Sequence, residues 1–205
     1  MYELFYETMV KKEQFHERWN SDNTLFVIYI GFNDINHIIR KYNAKLDIDR
    51  IINALLLIIE RIYEVGGRNI LIMNVQPMEK IRYYRNKNPQ LKEYARVNTI
   101  YFNERLNAIS KMIYNQYTTD LNVFIFDTYG FYEEVIANCL NYKFQNCTIS
   151  WRETKVKDAQ KFFWYDEFHI TNKANKYLAE SINQLFESFD ELLKSFYKNS
   201  ITKQI

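Results

Sequence analysis

The sequence predicts an α/β protein in which a parallel sheet lies between helices on both faces. Two observations support this fold class: short continuous runs of apolar and β-branched residues, and long helical segments that alternate with them along the chain. Runs that are apolar on both faces are typical of parallel strands buried between layers of helices. Alternation of strands and helices implies βαβ units. Because the 205 residues contain no repeat and no linker, we expect a single domain over residues 1–205.

Each element follows from the local pattern. Strands are predicted where apolar and β-branched residues run on without a break, and helices where apolar residues recur every three or four positions. The predicted strands are at 24–30, 69–75 and 121–128. The predicted helices are at 8–19, 47–64, 90–116, 129–138 and 172–198, the last of which closes the chain. Residues 78–89 are expected to form a basic, Tyr-rich loop, and residues 139–161 a long polar connection.

The ends of these elements carry the expected signals. The first strand is interpreted as buried on both faces and ends at Gly31. The helix at 47–64 is apolar around most of its circumference, and we expect Asp47 or Asp49 as its N-cap. Gly66 and its neighbour fall where a helix typically ends. The apolar stripe of the closing helix comprises Ile182, Leu185, Phe186, Phe189, Leu192 and Leu193.

Charge and hydropathy exclude several classes of function. With 27 Lys and Arg against 25 Asp and Glu, the net charge is +2, so nothing favours nucleic acid or an anionic membrane surface as a partner. The longest apolar runs, such as Ala54–Ile59, are far shorter than the roughly 18 residues of a membrane-spanning helix. Residues 1–7 carry acids and no basic segment, which is not typical of a secretory signal.

The two cysteines leave alternatives open. Cys139 and Cys147 stand eight positions apart, a spacing that fits no zinc site. Unpaired thiols are the favoured interpretation, and a disulfide that closes a short loop is the second. Asn146 begins an Asn-Cys-Thr glycosylation sequon, which hints weakly at secretion.

Ligands of open α/β sheets bind beyond the carboxyl ends of the strands, and the first strand is followed by Gly31-Phe-Asn-Asp34. Gly31 permits a tight turn, Asn33 offers an amide N–H to the crevice, and Asp34 is placed to cap a following helix. When this motif is taken alone, a turn with an N-cap is the favoured interpretation.

A second motif precedes the closing helix. Asp166 and His169 stand three positions apart, which allows the carboxylate to contact Nδ1 of the imidazole. That contact fixes the tautomer and leaves Nε2 free to act as a base. Thr171 is a suitable N-cap for the closing helix. Taken alone, such a pair is common on protein surfaces.

Together the two motifs resemble blocks III and V of the GDSL, or SGNH, hydrolases. Residues 25–35 resemble the family's Leu-Phe-x-x-x-x-Gly-x-Asn-Asp stretch. Arg61–Ile72 resembles the family's segment in which a helix is followed by Gly-x-Arg and a strand, and Phe102–Leu106 resembles its Asn-x-x-Leu helix. The resemblance covers approximately residues 14–185 and is strongest to fungal and plant esterases, including acetylesterases that act on carbohydrates. It implies a flavodoxin-like, three-layer α/β/α fold.

The resemblance also implies roles for four residues. His169 would be the general base and Asp166 its orienting carboxylate. Asn33 would donate its side-chain amide to the oxyanion, and Gly31 would shape the turn that presents Asn33. The implied substrate is a small ester or an acylated carbohydrate, and no metal or cofactor is needed.

The family's nucleophile is the departure from this pattern. Its Gly-Asp-Ser motif is absent from the sequence, and so is the block II glycine. Ser21 precedes the first strand at its amino end, and Ser150, in the connection, is the least unsuitable alternative. The remaining serines considered lie in predicted helices: Ser110, Ser181, Ser188 and Ser195. We therefore expect no nucleophile in this chain.

The resemblance begins at what would be the third strand of the family, so we expect a fold truncated by the first one or two strands. The strand at Thr24–Ile30 would then have an unpaired apolar edge, and self-association through that edge is expected. The sequence does not indicate where the protein is located in or outside the cell. We expect an extracellular location if a missing amino-terminal segment carries a secretory signal.

Three interpretations stay open. The chain is an esterase that lacks its nucleophile segment, or a pseudoenzyme that binds sugar esters or a protein partner, or an unrelated α/β domain. Four aromatic residues are of the kind that stack on sugars, although packing in the core explains them more simply: Tyr83, Tyr84, Trp151 and Trp164.

Overall fold

A computed structural model describes residues 7, 19–85, 87–116 and 120–202, with side chains as far as Asp190. The helix expected at 8–19 therefore lies, apart from Trp19, outside the described residues. The chain divides into two compact units, one formed by residues 1–80 and 87–129 and the other by residues 81–86 and 130–205.

The first unit contains a three-stranded parallel sheet. Its strands are β1 (Leu25–Ile28), β2 (Asn69–Met73) and β3 (Asn122–Phe126), in the order β1-β2-β3. Leu25 lies opposite Asn69, which in turn lies opposite Asn122. The central strand β2 is buried beyond its first residue. The mixed α/β architecture with parallel strands agrees with the predicted fold class.

The expectation that the first strand is buried on both faces is wrong. β1 is shorter than predicted, and Leu25 and Val27 are 40% and 56% exposed. Within the described residues β1 pairs only with β2, so it is an edge strand. An edge strand has fewer neighbours to cover it, and the outward members of its alternating pattern meet solvent.

Helices pack against this sheet because their apolar residues follow a helical period. They are α1 (Phe32–Ile38), α2 (Lys45–Glu64) and α4 (Pro89–Gln116), and α2 packs against α4. One face of α2 is buried, through Ile48, Ile52, Leu55, Ile59 and Ile62, whereas Leu57 is 55% exposed. The helix is therefore amphipathic, rather than buried around most of its circumference as predicted.

The ends of α2 differ from the prediction at one side only. The N-cap position is Ala44, so neither Asp47 nor Asp49 caps the helix. Asp47 lies in the first turn and accepts a 2.6 Å hydrogen bond from Lys41, which holds the pKa of Asp47 below its usual value. At the other end Gly66 adopts a φ of 102°, and the predicted termination by glycine is confirmed.

The segment 78–89 is not the loop that the sequence predicts. It contains a 3₁₀ turn at Met78–Lys80 and the short helix α3 (Arg82–Arg85). Met78 is fully buried and Tyr84 is 1% exposed. The apolar residues scattered among the basic ones are sufficient to order this segment.

The second unit is built around a small parallel pair of strands. β4 (Asn146–Ser150) pairs with β5 (Phe162–Trp164), and 3₁₀ turns lie at Trp151–Glu153 and Ala159–Lys161. The long polar connection predicted over 139–161 therefore contains a strand and two 3₁₀ turns that the sequence did not predict. The helices of this part of the chain are α5 (Thr128–Ala137) and α6 (Asn172–Thr202).

Aromatic rings form the core of the second unit. Phe163 contacts Trp164 edge-on at 4.9 Å and Tyr132 at 5.3 Å between ring centroids. Phe163 is fully buried, and Phe144 and Trp164 are each 1% exposed. Large rings let strands of only three to five residues bury substantial apolar area. The α6 stripe is less buried than predicted, with Phe189 39% exposed, while Leu192 and Leu193 lie beyond the described side chains.

Cys139 and Cys147 form a disulfide with their Cα atoms 5.9 Å apart. The favoured interpretation of unpaired thiols is wrong. The chain turns back after α5, where the Phe144 amide donates to the Cys139 carbonyl oxygen at 3.1 Å. This reversal brings the end of α5 to the start of β4, within bridging distance.

Candidate active site

The second unit places Asp166 and His169 in direct contact. Nδ1 of His169 lies 2.9 Å from Oδ1 and 3.0 Å from Oδ2 of Asp166. An ionised carboxylate only accepts hydrogen bonds, so Nδ1 carries the proton and Nε2 presents its lone pair. Among the described residues Nε2 has no hydrogen-bond partner, and the His169 side chain is 75% exposed.

Asp166 is itself held by the backbone of its own turn. Oδ1 accepts the N–H groups of Phe168 at 2.9 Å and His169 at 2.8 Å. Partial burial works to raise the pKa of Asp166, but these backbone donors and the imidazole more than offset it, and the pKa lies below its usual value. Asp166 is therefore ionised at neutral pH and serves as a fixed acceptor for Nδ1.

Helix α3 holds the turn from one side. The backbone N–H of Tyr83 donates to the Glu167 carbonyl oxygen at 2.9 Å, so an amide at a helix N-terminus finds its partner in the turn. The Tyr83 ring stacks on Phe168 with 4.7 Å between centroids and an interplanar angle of 28°. Both contacts involve residues between Asp166 and His169.

An ion pair ties α3 to the segment after β4. Arg82 binds both carboxylate oxygens of Glu153, with Nε 2.7 Å from Oε1. Glu153 also accepts the Ser150 hydroxyl at 2.6 Å and the Ser150 amide at 3.0 Å. The Arg82 hydrogen bonds, opposed in part by burial and supported by Ser150, lower the pKa of Glu153 to about 2. Ser150 is 1% exposed, and its hydroxyl is engaged in this network.

The other side of the turn is held by the residues that follow β4. The Trp151 ring stacks on Tyr165 at 5.3 Å, and the Arg152 amide donates to the Tyr165 carbonyl oxygen at 3.2 Å. Two of the four aromatic residues considered for stacking on sugars, Tyr84 and Trp164, are each 1% exposed and belong to the core. Trp151, like Tyr83, packs its ring on another aromatic side chain.

The first unit contains Gly31 and Asn33. Gly31 adopts a φ of 114° and is the N-cap residue of α1. A Cβ atom here would lie 2.5 Å from Cζ of Phe102 and 2.8 Å from Cγ2 of Val75. Both the backbone conformation and the space therefore require glycine.

Asn33 is the second residue of α1 and is exposed. Its amide has no hydrogen-bond partner in the part of the chain that the structure describes, so its N–H groups are free to bind a ligand. The expectation that Asp34 caps α1 is wrong, because the cap position is Gly31 and Asp34 lies in the first helical turn.

Asn103 is a positioning residue whose role the sequence does not reveal. From α4 its Oδ1 accepts the Val75 N–H at 2.9 Å, and its Nδ2 donates to the Val75 carbonyl oxygen at 2.8 Å. The amide thus satisfies the backbone just after β2 as a neighbouring strand would. The signal in the sequence was the resemblance of Phe102–Leu106 to the family's Asn-x-x-Leu helix, which includes Asn103 but does not indicate its contact with Val75.

Polar side chains also meet beyond β2 and β3. Asn74 donates to Asp127 at 2.8 Å and accepts the Tyr129 N–H at 2.9 Å. Within the described residues no group of three or more His, Cys, Asp or Glu side chains could hold a metal ion. In the same part of the chain, no helix combines the length and the apolarity needed to cross a membrane.

Comparison with known proteins identifies the family. The profile of the GDSL-like lipase/acylhydrolase family matches residues 6–182. The chain belongs to this family. The parallel α/β architecture is consistent with the fold of the family, and membership supports ester hydrolysis as the class of reaction.

Two curated relatives have esterase names. An acetylesterase of Thermothelomyces thermophilus is 21% identical over 165 residues, which cover 80% of this chain and 53% of the relative. A GDSL esterase/lipase of Arabidopsis thaliana is 23% identical over 188 residues, covering 78% of this chain and 50% of the relative. The chain spans about half the length of the curated relatives it matches.

Proposed function

We propose that this chain supplies the general base, its orienting carboxylate and an oxyanion donor of an ester hydrolase. The observation that carries the proposal is the contact between Nδ1 of His169 and Asp166, 2.9 Å to the nearer oxygen. With Nδ1 committed to the carboxylate, Nε2 is left without a partner among the described residues and is exposed to an incoming hydroxyl.

The proposed reaction is acyl transfer. Nε2 of His169 takes a proton from a serine hydroxyl, whose oxygen forms a bond to the ester carbonyl carbon. The Asn33 amide and backbone N–H groups bind the oxyanion, and the imidazolium then returns its proton to the departing alcohol. Water repeats these steps and releases the acid. No metal or cofactor takes part in this scheme.

Several serine hydroxyls in the described residues already donate hydrogen bonds to other groups. We propose that none of these serines is the attacking nucleophile. Ser110 and Ser188 donate to carbonyl oxygens of their own helices, at 2.8 Å to Leu106 and 2.7 Å to Leu185. The Ser150 hydroxyl donates to Glu153, and that of Ser21 to Asp22 at 3.0 Å.

The proposed substrate is a small ester or an acylated carbohydrate. This choice rests on the resemblance noted in the sequence and on the name of one relative, an acetylesterase.

The test uses the chain as it stands, with p-nitrophenyl acetate as the ester and a fluorophosphonate as a probe for reactive serine. We expect no covalent labelling and only slow hydrolysis, because removal of the nucleophile leaves the residual effect of the rest of the site. The slow hydrolysis should be lost in His169→Ala and unchanged in His37→Ala. Labelling of any serine would overturn the claim that this chain contains no nucleophilic serine. Hydrolysis at the same rate in the wild type and in His169→Ala would overturn the assignment of His169 as the base.

A second candidate function is binding without turnover, as a pseudoenzyme that holds sugar esters or a protein partner. The engagement of the Ser150 hydroxyl by Glu153, at 2.6 Å, favours it, because this serine is then not free to act as a nucleophile. Acetylated xylo-oligosaccharides that bind the chain without being hydrolysed, with weaker binding in Asn33→Ala, would support this alternative.

A further inference from the structure

The start of β4 carries a sequon, and it is the only Asn-x-Ser/Thr sequence in the 205 residues. Oδ1 of Asn146 accepts three hydrogen bonds, from the Thr148 amide at 2.7 Å, the Thr148 hydroxyl at 2.9 Å and the Ile149 amide at 3.0 Å. Its Nδ2 makes no hydrogen bond within the described residues. Asn146 is half-buried and Thr148 is exposed.

The residue types of the sequon suit modification of the amide nitrogen in an open, extended chain. A hydroxyl that donates to the amide oxygen withdraws electron density and makes the Nδ2–H bond more acidic. The nitrogen can then attack C1 of a sugar that is activated as a glycosyl diphosphate. The N–C1 bond forms, the C1–O bond breaks with its electron pair going to the diphosphate, and Nδ2 gives up one proton to a base.

The disulfide is an independent observation that points to the same compartment. The middle residue of the sequon is Cys147, which is bonded to Cys139 and is 2% exposed. Disulfides persist in oxidising compartments such as the lumen of the endoplasmic reticulum, where glycosylation of asparagine takes place. Both features are therefore consistent with one route through the cell.

We propose that Asn146 carries an N-linked oligosaccharide that is attached before the Cys139–Cys147 bond closes. A transferase must reach all three residues of the sequon in an open conformation. Once the crosslink pins buried Cys147 to the end of α5, that conformation is no longer accessible. Glycan attachment and disulfide closure thus compete for the same three residues. The proposal does not depend on the esterase function.

The test is secretion of the full chain from a eukaryotic host behind a cleavable signal. Its readouts are intact mass, with and without an N-glycan-removing amidase, and peptide mapping of the Asn→Asp mark that the enzyme leaves. We expect partial occupancy at Asn146, none in Asn146→Gln or Thr148→Ala, and retention in Thr148→Ser. Cys139→Ser keeps the sequon intact and should bring occupancy close to complete.

Each outcome is decisive because the mass shift does not require a folded product. An unmodified Asn146 in both the wild type and Cys139→Ser overturns the proposal. Equal partial occupancy in those two proteins overturns the competition with the disulfide, and it leaves the glycan assignment supported.

Discussion

The Tyr83 amide donates to the Glu167 carbonyl oxygen at 2.9 Å, which joins the first turn of α3 to the turn that holds Asp166 and His169. The ring of Tyr83 adds a stacked contact with Phe168 at 4.7 Å. The segment 81–86 is remote in sequence from this turn, yet it belongs to the same compact unit. The placement of the His–Asp pair therefore depends on residues far upstream.

Replacing Tyr83 by alanine should loosen the Asp–His turn. The aromatic pair contributes roughly 0.5–1.5 kcal/mol beyond the area that it buries, and Tyr83→Ala removes it while keeping the backbone hydrogen bond. We expect a lower free energy of unfolding and faster amide exchange at Phe168 and His169. Tyr83→Phe retains the ring and serves as the control. Equal exchange rates in the two variants would show that stacking does not hold the turn.

The Glu153–Arg82 pair should make stability depend on pH. The pKa of Glu153 is lowered from 4.5 to about 2, so the ionised form is favoured by folding. Its contribution is complete above the unfolded pKa and is lost as the pH falls from about 4.5 towards 2. Urea unfolding of the wild type and of Glu153→Gln should show a stability difference that is constant above pH 5 and closes below it. A difference that does not vary with pH would contradict this assignment.

Gly31→Ala should destabilise the first unit more than Gly66→Ala. Both positions have a positive φ, 114° and 102°, but a Cβ at Gly31 meets Phe102 at 2.5 Å and one at Gly66 has its nearest neighbour at 3.9 Å. The strained backbone costs of order 1–3 kcal/mol at either site, and only Gly31→Ala adds overlap. Urea unfolding of both variants isolates the steric part. Equal losses would mean that Phe102 moves aside freely.

Asn103→Asp should destabilise the segment after β2. The carboxylate can still accept the Val75 N–H, but it cannot donate to the Val75 carbonyl oxygen, and Val75 is fully buried. Leaving a buried acceptor unpaired costs about 1–3 kcal/mol. Asn107→Asp, an exposed position one turn further along α4, is the control. Equal unfolding free energies in the two variants would remove Asn103 from its proposed role.

We propose that β1 mediates self-association of the chain. Within the described residues this strand is paired on one side only, and Leu25 and Val27 are 40% and 56% exposed. Unprotected apolar edges pair with other strands. Sedimentation velocity should show association that rises with concentration and is abolished by Val27→Lys. Leu57→Lys changes an equally exposed residue, 55% on α2, and should have no effect. A monomer at all concentrations would refute the proposal.

The sequence predicts the features that local pattern controls. β2 is apolar after Asn69, and the burial of its last four residues follows from that run. The Asp166–His169 contact follows from a spacing of three residues. The end of α2 near Gly66 is predictable because glycine readily adopts the positive φ with which many helices terminate.

Features that depend on distant neighbours escape the sequence. The residues of β1 read like those of β2, and only the pairing reveals that Val27 faces solvent. β4 contains Asn146, Thr148 and Ser150, so its polar residues hide a strand that pairs with β5. The disulfide depends on the chain reversal after α5, which eight residues of spacing do not disclose.

The four-residue turn around Asp166 has a consequence for how such a pair persists. The Asp166 carboxylate accepts hydrogen bonds from two backbone amides of the turn and also orients the imidazole of His169. The same group therefore stabilises the turn and positions the base. No long-range register between separate strands has to be kept for the two side chains to meet. We therefore expect the contact between Asp166 and His169 to persist in variants whose strand pairing is altered.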